Sequence, residues 1–432
     1  MMIRSLLALL LLPGLLCAQK SKLTDDQLLD LVQKQTFQYF WDFGHPVSGL
    51  ARERSNHSFG YGDETCTTGG TGFGVMAIVV AVDRGWISRE EGAQRIQKIA
   101  RFLSKAPVYH GVFPHWLHGS TGQTIPFSRK DDGGDLVETA FLFQGLLTAR
   151  QYFDQNNPAE NSLRGLITMM WNEIEWDWYT QGSKNQLYWH WSPNNGWAMN
   201  FELRGYNETL ITYVLAASSK KYAINPDIYH KCYAKNDHFF NGKEFYGVKL
   251  PLGFDYGGPL FFAHYSFLGL DPRGLKDRYA DYWEQNVNHT RINYLHCVKN
   301  PKGFKGYSEK SWGLTASDNH EGYNAHSPTN DLGVITPTAA LSSFPYTPKE
   351  SMAALRYFYD ERGDQLWGKY GFYDAFNDSK NWVAQSYLAI DQGPIVVMIE
   401  NHRSGLLWNL FMGIPEIRDG LKKLGFESPK LK

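Results

Sequence analysis

Three stretches of the sequence place acidic residues where their surroundings would perturb them. In KDDGGDLVETAFLFQGLL (residues 130–147) Asp135 and Glu138 stand three apart at the head of an apolar run, so on a helix both face the same way. In RGYNETLITYVLAAS (204–218) Glu208 follows Arg204, Tyr206 and Asn207 and opens a second apolar run. In YLAIDQGPIVVMIEN (387–401) Asp391 and Glu400 bracket the segment from Ile395 to Ile399. A carboxyl shielded by apolar neighbours holds its proton toward neutral pH and can act as a general acid, whereas a helix start favours the ionised form. Together such groups supply the two halves of acid–base chemistry. Each also has a plainer reading. Asp-x-x-Glu is an N-cap followed by its capping partner. Glu208 could serve the dipole of its helix, and Glu400 could be held by a buried Arg or a backbone group. Asp391 precedes Gly393-Pro394, a pairing that leads from a turn into a helix. That places Asp391 at a cleft mouth and Glu400 deeper.

Those carboxylates must be carried by helices. Thr24 caps a pattern beginning at Asp25, and Ser88 starts REEGAQRIQKIARFL as a capping box. Further helical patterns cover 73–84, 136–153, 159–175, 208–219, 271–289, 348–361, 392–400, 404–412 and 415–424. Some are amphipathic. Others, such as 73–82 and 136–149, are apolar on most faces and suit an inner layer. Alternating inner and outer helices predict an all-α chain folded as an (α/α) toroid. The long loops at 107–134, 180–206, 241–262, 299–335 and 362–386 would build a cleft at one end, with short strand pairs, for example near Leu187 to Trp191. No linker divides the chain, so 19–432 reads as one catalytic domain.

The first 18 residues read as a signal peptide, with Arg4, an apolar centre from Leu6 to Leu12, and Cys17-Ala18. They imply export to the periplasm or cell surface, and Cys17 offers a weaker lipid-anchor signal. No later run reaches a membrane span. Lys plus Arg number 43 against 44 acidic residues, a net charge of −1, which favours neither nucleic acid nor an anionic membrane. Beyond the leader, Cys66, Cys232 and Cys297 form no disulfide framework or zinc pattern. HGSTG (118–122) is not a nucleophile elbow, and TTGGTGFG (67–74) is no phosphate-binding fingerprint. No metal or cofactor is called for.

The 14 Trp, 25 Tyr and 26 Phe make 15% of the 432 residues. WDWY (176–179), YWHW (188–191) and SPNNGW (192–197) mix rings with polar groups, a combination that suits sugar faces and hydroxyls as well as a packed core. The loop beginning SWGLTASDNHEGY (311–323) adds Trp312, Asp318, Glu321 and Tyr323.

Taken together, DDGGDLVETAFLFQGLL, WHWSPNNGW, RGYNE, PLFFAHYSFLGLDP, WGLTASD, GVITPTAALSSFPYTP, YGFYDAFN, YLAIDQGPIVVMIENHRSGLLW and GIPEI resemble the glucoamylase-like family. Its bacterial β-1,2-glucanases form glycoside hydrolase family 144. The resemblance implies an (α/α)6 barrel that cuts β-1,2-glucan to sophoro-oligosaccharides or sophorose, with inversion and no cofactor. It implies catalytic positions at Asp135, Glu138, Glu208 and Asp391, with Glu208 as the acid and Asp391 as the base. Asp135 and Glu138 would orient water or sugar, and Asp391 would face a water-filled cleft. Trp191, Trp197, Arg204, Tyr206, Trp312 and Tyr323 are the candidate substrate contacts. Two other readings stand beside it: a polysaccharide lyase using Tyr323 and His190, and a glycan-binding protein without turnover. Neither endo or exo action nor oligomeric state follows from the sequence.

Overall fold

A computed structural model describes residues 23–56, 62–182, 184–235 and 238–432. The expected signal peptide, with Cys17, lies outside the described residues. Thirteen α-helices are described: α1 (Asp25–Trp41), α2 (Thr68–Asp83), α3 (Arg89–Leu103), α4 (Leu136–Tyr152), α5 (Pro158–Asn172), α6 (Leu210–Ser218), α7 (Tyr282–Lys299), α8 (Pro337–Leu341), α9 (Pro348–Arg356), α10 (Gly363–Leu366), α11 (Ala389–Arg403), α12 (Leu406–Met412) and α13 (Pro415–Lys423).

Local chemistry sets their starts. Thr24 and Ser88 close the capping boxes of α1 and α3 with Gln27 and Glu91. Burial then sorts the helices into two layers. α2, α4 and α6 are buried on nearly every face, whereas α3, α5 and α13 bury a single stripe. α2 packs on both α4 and α11, and α1 backs α11 from outside. The result is the expected (α/α)6 toroid, its inner ring apolar and its outer ring amphipathic.

Three helices depart from the sequence expectation. α2 begins at Thr68 rather than Phe73, running through the glycines of TTGGTG. Those glycines allow close approach. A Cβ on Gly145 would lie 2.0 Å from the Gly72 carbonyl oxygen, so α2 and α4 cross backbone to backbone. The helix expected over 271–289 forms instead as α7. Residues 272–274 turn, with Gly274 at φ +68°, and Asp281 caps the helix by accepting the Trp283 and Glu284 N–H groups. α11 starts at Ala389, so Pro394 falls inside it rather than in its first turn.

The long loops carry the short strand pairs. Thr65–Thr67 pairs with Trp116–His118, and Gly134–Asp135 pairs with His190–Trp191 in the register Asp135↔His190. Ala316–Asn319 pairs with Gly322–Ala325. Cys66, Cys232 and Cys297 are buried cysteines, and Cys232 Sγ donates to the Leu203 carbonyl at 3.5 Å. No helix among the described residues is long and apolar enough to cross a membrane.

Candidate active site

A cavity of about 270 Å³ opens where inner helices begin. Thr67 at the N-cap of α2, Glu138 in the first turn of α4, Glu208 just ahead of α6 and Ile390 in the first turn of α11 all line it. Trp116, Phe127, Trp189, Phe261 and Tyr323 supply rings at its walls, and Phe141 and Tyr265 pack together in its lining. Burial raises the Tyr265 pKa first, and Asp391, Glu138 and Glu208 all lie within electrostatic reach of its hydroxyl and add to the rise.

The α4 corner satisfies both readings of Asp-x-x-Glu. Asp135 is the N-cap, accepting from the Val137 and Glu138 N–H groups at 3.0 and 2.9 Å. Glu138 does not turn back to complete a capping box. It crosses to α2, accepts the Gly69 N–H at 2.7 Å and hydrogen-bonds the Thr67 hydroxyl. A Cβ on Gly69 would lie 2.5 Å from the Glu138 Oε2, so a side chain there would push the carboxylate out of place. Burial and the Asp135 charge raise the Glu138 pKa, while His115 opposes them. His115 stacks on Phe127 at 4.1 Å and bonds Asp135 through Nδ1 at 2.9 Å. Burial disfavours its charge, but Glu138 and Asp135 prevail and lift its pKa to about 9. His115 is therefore a cation at neutral pH. In sequence it is a loop histidine three residues before His118, a spacing that no metal-binding motif completes.

Glu208 has the opposite surroundings. Its carboxyl hydrogen-bonds its own backbone N–H, and its backbone carbonyl accepts from Ser266 Oγ. Desolvation pushes its pKa up to about 7, with Glu138 and Asp135 adding repulsion. The group is thus poised to give up a proton near neutral pH.

Asp391 stands behind the cavity wall instead of facing the cleft, because α11 starts early enough to turn it inward. It is 3% exposed, and its neighbour Ile390 takes the lining position. A further acidic group surrounds it. Arg54 holds Glu53 at 2.7 Å and Asp318 at 2.8 Å. Ser386 Oγ donates to Asp318 at 2.6 Å, and Asp374 accepts the Asp318 N–H at 2.7 Å. Burial raises the Asp391 pKa to about 8, and a hydrogen bond from Asp374 and the Arg54 charge oppose the rise. Glu400, at the far end of α11, is fully enclosed and held by Arg84 at 2.7 and 2.9 Å.

The candidate sugar contacts divide. Tyr323 lines the cavity. Trp191 and Trp197 belong to an aromatic cluster around Trp178, with centroids 6.4 and 6.3 Å from it, and the cavity uses Trp189 instead. Arg204 is 57% exposed and pairs with Glu202. Tyr206 is buried, donating to Asn286 at 2.9 Å, and Trp312 is wholly buried, its Nε1 bonded to the Glu350 carbonyl. These last two act in the core, since a large ring with one satisfied polar atom packs there at little cost. His190, the acid of the lyase reading, is buried beside Gly133 and Asp131 and is absent from the cavity lining. His115, Asp131 and Asp135 bring one nitrogen and two oxygens within 4.8 Å of one another, a set that would hold a divalent cation only with the imidazole deprotonated.

A family model named Glycoamylase and described as "Putative glucoamylase" matches residues 200–415. An exo-β-1,2-glucooligosaccharide sophorohydrolase (non-reducing end) of Parabacteroides distasonis is 48% identical over 423 residues. The match covers 93% of this chain, which spans 58% of that relative's length. The endo-β-1,2-glucanase of Chitinophaga pinensis, in complex with sophorotriose and glucose, is 55% identical, with TM-score 0.92 over 95% of this chain and 100% of that one. A Bacteroides uniformis crystal structure is 61% identical, with TM-score 0.94 over 96% of this chain and 100% of its own. The chain belongs to the glucoamylase-like family.

Proposed function

We propose that the protein is a glycosidase acting on β-1,2-glucan or its oligosaccharides, of the kind grouped in glycoside hydrolase family 144, and that it works by inversion. One observation carries the reading: a proton-holding Glu208 and a ring-lined, sugar-sized cavity share one opening with ionisable carboxyls on other helices. Glu208 protonates the glycosidic oxygen as the C1–O bond breaks, and water adds to C1 from the opposite face. The proton of that water passes to Asp391. Because Asp391 stands behind the wall, the transfer runs through an intervening water or sugar hydroxyl. Glu138 and Asp135, fixed by Gly69 and the α4 N-terminus, orient substrate or water. Cationic His115 keeps that pair from repelling Glu208 at full strength. The names borne by relatives support the linkage, and they divide between internal cleavage and release of disaccharide from the non-reducing end. The leader-like first 18 residues support a place outside the cytoplasm, periplasmic or at the cell surface.

The test is incubation of purified protein with β-1,2-, β-1,3- and β-1,4-glucans, sizing the products and following the anomeric proton of the first product. New reducing ends of α configuration from the β-1,2 polymer alone are expected. β-configured products would overturn inversion. Unsaturated, ultraviolet-absorbing ends would establish a lyase.

A further inference from the structure

Asp374 is not among the carboxyls implied by any sequence pattern, yet it touches one that is. It sits between the short strands Gly371–Phe372 and Phe376–Asn377, 5% exposed, its N–H bonded to the Ser386 carbonyl at 2.9 Å. Its Oδ2 accepts the Asp318 N–H at 2.7 Å. Its Oδ1 is buried with no donor directed at it, and the same is true of Asp391 Oδ2. The two carboxyls hydrogen-bond each other. Two carboxylate oxygens have only lone pairs to offer, so such a contact needs a proton between them.

The groups facing the pair decide who holds it. Asp318 is held by Arg54 and Ser386, and Glu53 shares the same guanidinium. Tyr265 and Tyr323 bring hydroxyls within electrostatic reach of Asp391. Thr338 donates to the Asp391 backbone oxygen, leaving its carboxyl untouched. Arg54 pulls on Asp391, whereas Asp374 feels chiefly its acidic neighbours Asp391 and Asp318.

We infer that Asp374 is a neutral carboxylic acid whose O–H donates to Asp391, and that this bond stabilises the charged form of the buried Asp391 against the cost of burial and aims it for its role as base. The inference rests on the proposed role of Asp391. Asp374 is thus a positioning residue that acts through Asp391. Desolvation and repulsion both raise its pKa far above the usual carboxylate range, as this role requires.

Asparagine imitates this state. Its carbonyl can accept the Asp318 N–H while its amide donates permanently to Asp391. Asp374→Asn should therefore keep kcat/KM on β-1,2-glucan within about tenfold of wild type, with KM unchanged and the acidic limb of the pH profile within about half a unit. Asp374→Ala removes the donor. Loss of a hydrogen bond to a charged group should move the acidic limb upward by about one to two pH units. Thermal melting of both variants establishes that they are folded. A folded Asp374→Asn that loses more than about 10²-fold would overturn the inference, because Asp374 would then have to ionise. A folded Asp374→Ala with an unmoved limb would overturn it too. Asp391→Asn, measured alongside, tests the underlying reading separately: near-wild-type turnover there removes Asp391 as base whatever Asp374 does.

Discussion

Replacing Glu208 by Gln should lower activity and raise stability at once, and the pH at which each happens follows from one group. Glu208 titrates at about 7 instead of its ordinary 4.5, because burial disfavours its charge. At pH 7 an ordinary Glu carries its proton about 0.3% of the time and Glu208 about half the time, roughly a 150-fold gain in competent acid. The same shift costs stability. Between pH 4.5 and 7 the folded state binds the proton more tightly than the unfolded chain, so stability is full below the unfolded pKa and falls as pH rises through about 7. Glutamine has no such dependence. At pH 8 Glu208→Gln should be more stable by about 1–3 kcal/mol, discounted for the partial exposure of the group, and the advantage should vanish near pH 4. In kinetics the variant should lose about 10²–10⁴-fold on β-1,2-glucan, where the leaving sugar must be protonated. On a sophorosyl donor bearing a fluoride or nitrophenyl group it should lose less than about tenfold. Melting curves from pH 4 to 8 and kcat/KM on both substrates check the two halves. Equal losses on both substrates would refute the acid role, and a stability gain independent of pH would refute the shifted pKa.

Arg84→Ala leaves Glu400 as an unpaired buried charge and should cost about 3–5 kcal/mol at pH 7, shrinking below pH 5 as Glu400 takes up a proton; melting at both pH values checks this. Gly69→Ala drives a Cβ against the Glu138 carboxylate and should cut kcat/KM by about 10–10²-fold with little change in melting temperature. Trp312→Ala should cost about 3–5 kcal/mol by emptying a core site while leaving KM unchanged below its melting point; a raised KM would return Trp312 to the sugar contacts.

What the sequence disclosed depended on whether the signal was local. The all-round apolarity of 136–149 is local, so α4 and its inner position were legible. So were the carboxylates at helix starts, since a cap and an acidic first turn leave a pattern in consecutive residues. Asp-x-x-Glu could not be resolved between capping and chemistry because both were true: Asp135 caps while Glu138 reaches another helix. The glycines of TTGGTG hid the first turn of α2, for their use is the approach of α4, some seventy residues away. Choosing Trp191 over Trp189 in YWHW was beyond reach as well. The two lie on the same face of an extended segment, and only the packing around Trp178 separates them. Glu53, Arg54 and Asp374 come from loops without periodicity, and no spacing marks them; the spacing of His115 from His118 matches no motif. Asp391 was found, but its depth depended on where α11 begins.

The placement of cations accounts for the division of labour among these carboxyls. The inner helices α2, α4, α6 and α11 present their N-terminal ends to the cavity, each carrying a partial positive charge that makes acidic residues tolerable in an apolar ring. Those fixed ends cannot ionise every carboxyl. Full side-chain cations make the difference, and around the cavity they are His115 and Arg54. His115 serves Asp135 and Glu138, and Arg54 serves Glu53 and Asp318 directly and Asp391 through space. Burial and acidic neighbours dominate the surroundings of Glu208 and Asp374, and among the described residues neither carboxyl is ion-paired to a side-chain cation. Those are the two groups whose chemistry calls for a retained proton, one to give to the leaving sugar and one to hold its neighbour charged. A lysine or arginine engineered beside Glu208 would therefore lower its pKa and shift the alkaline limb of the pH profile to lower pH, leaving the carboxyl itself in place. Substitution of the nearby Phe261 by Lys, followed by the pH dependence of kcat/KM, reads this directly. An alkaline limb that stays put would mean that desolvation alone, and not the absence of a cation, keeps Glu208 protonated.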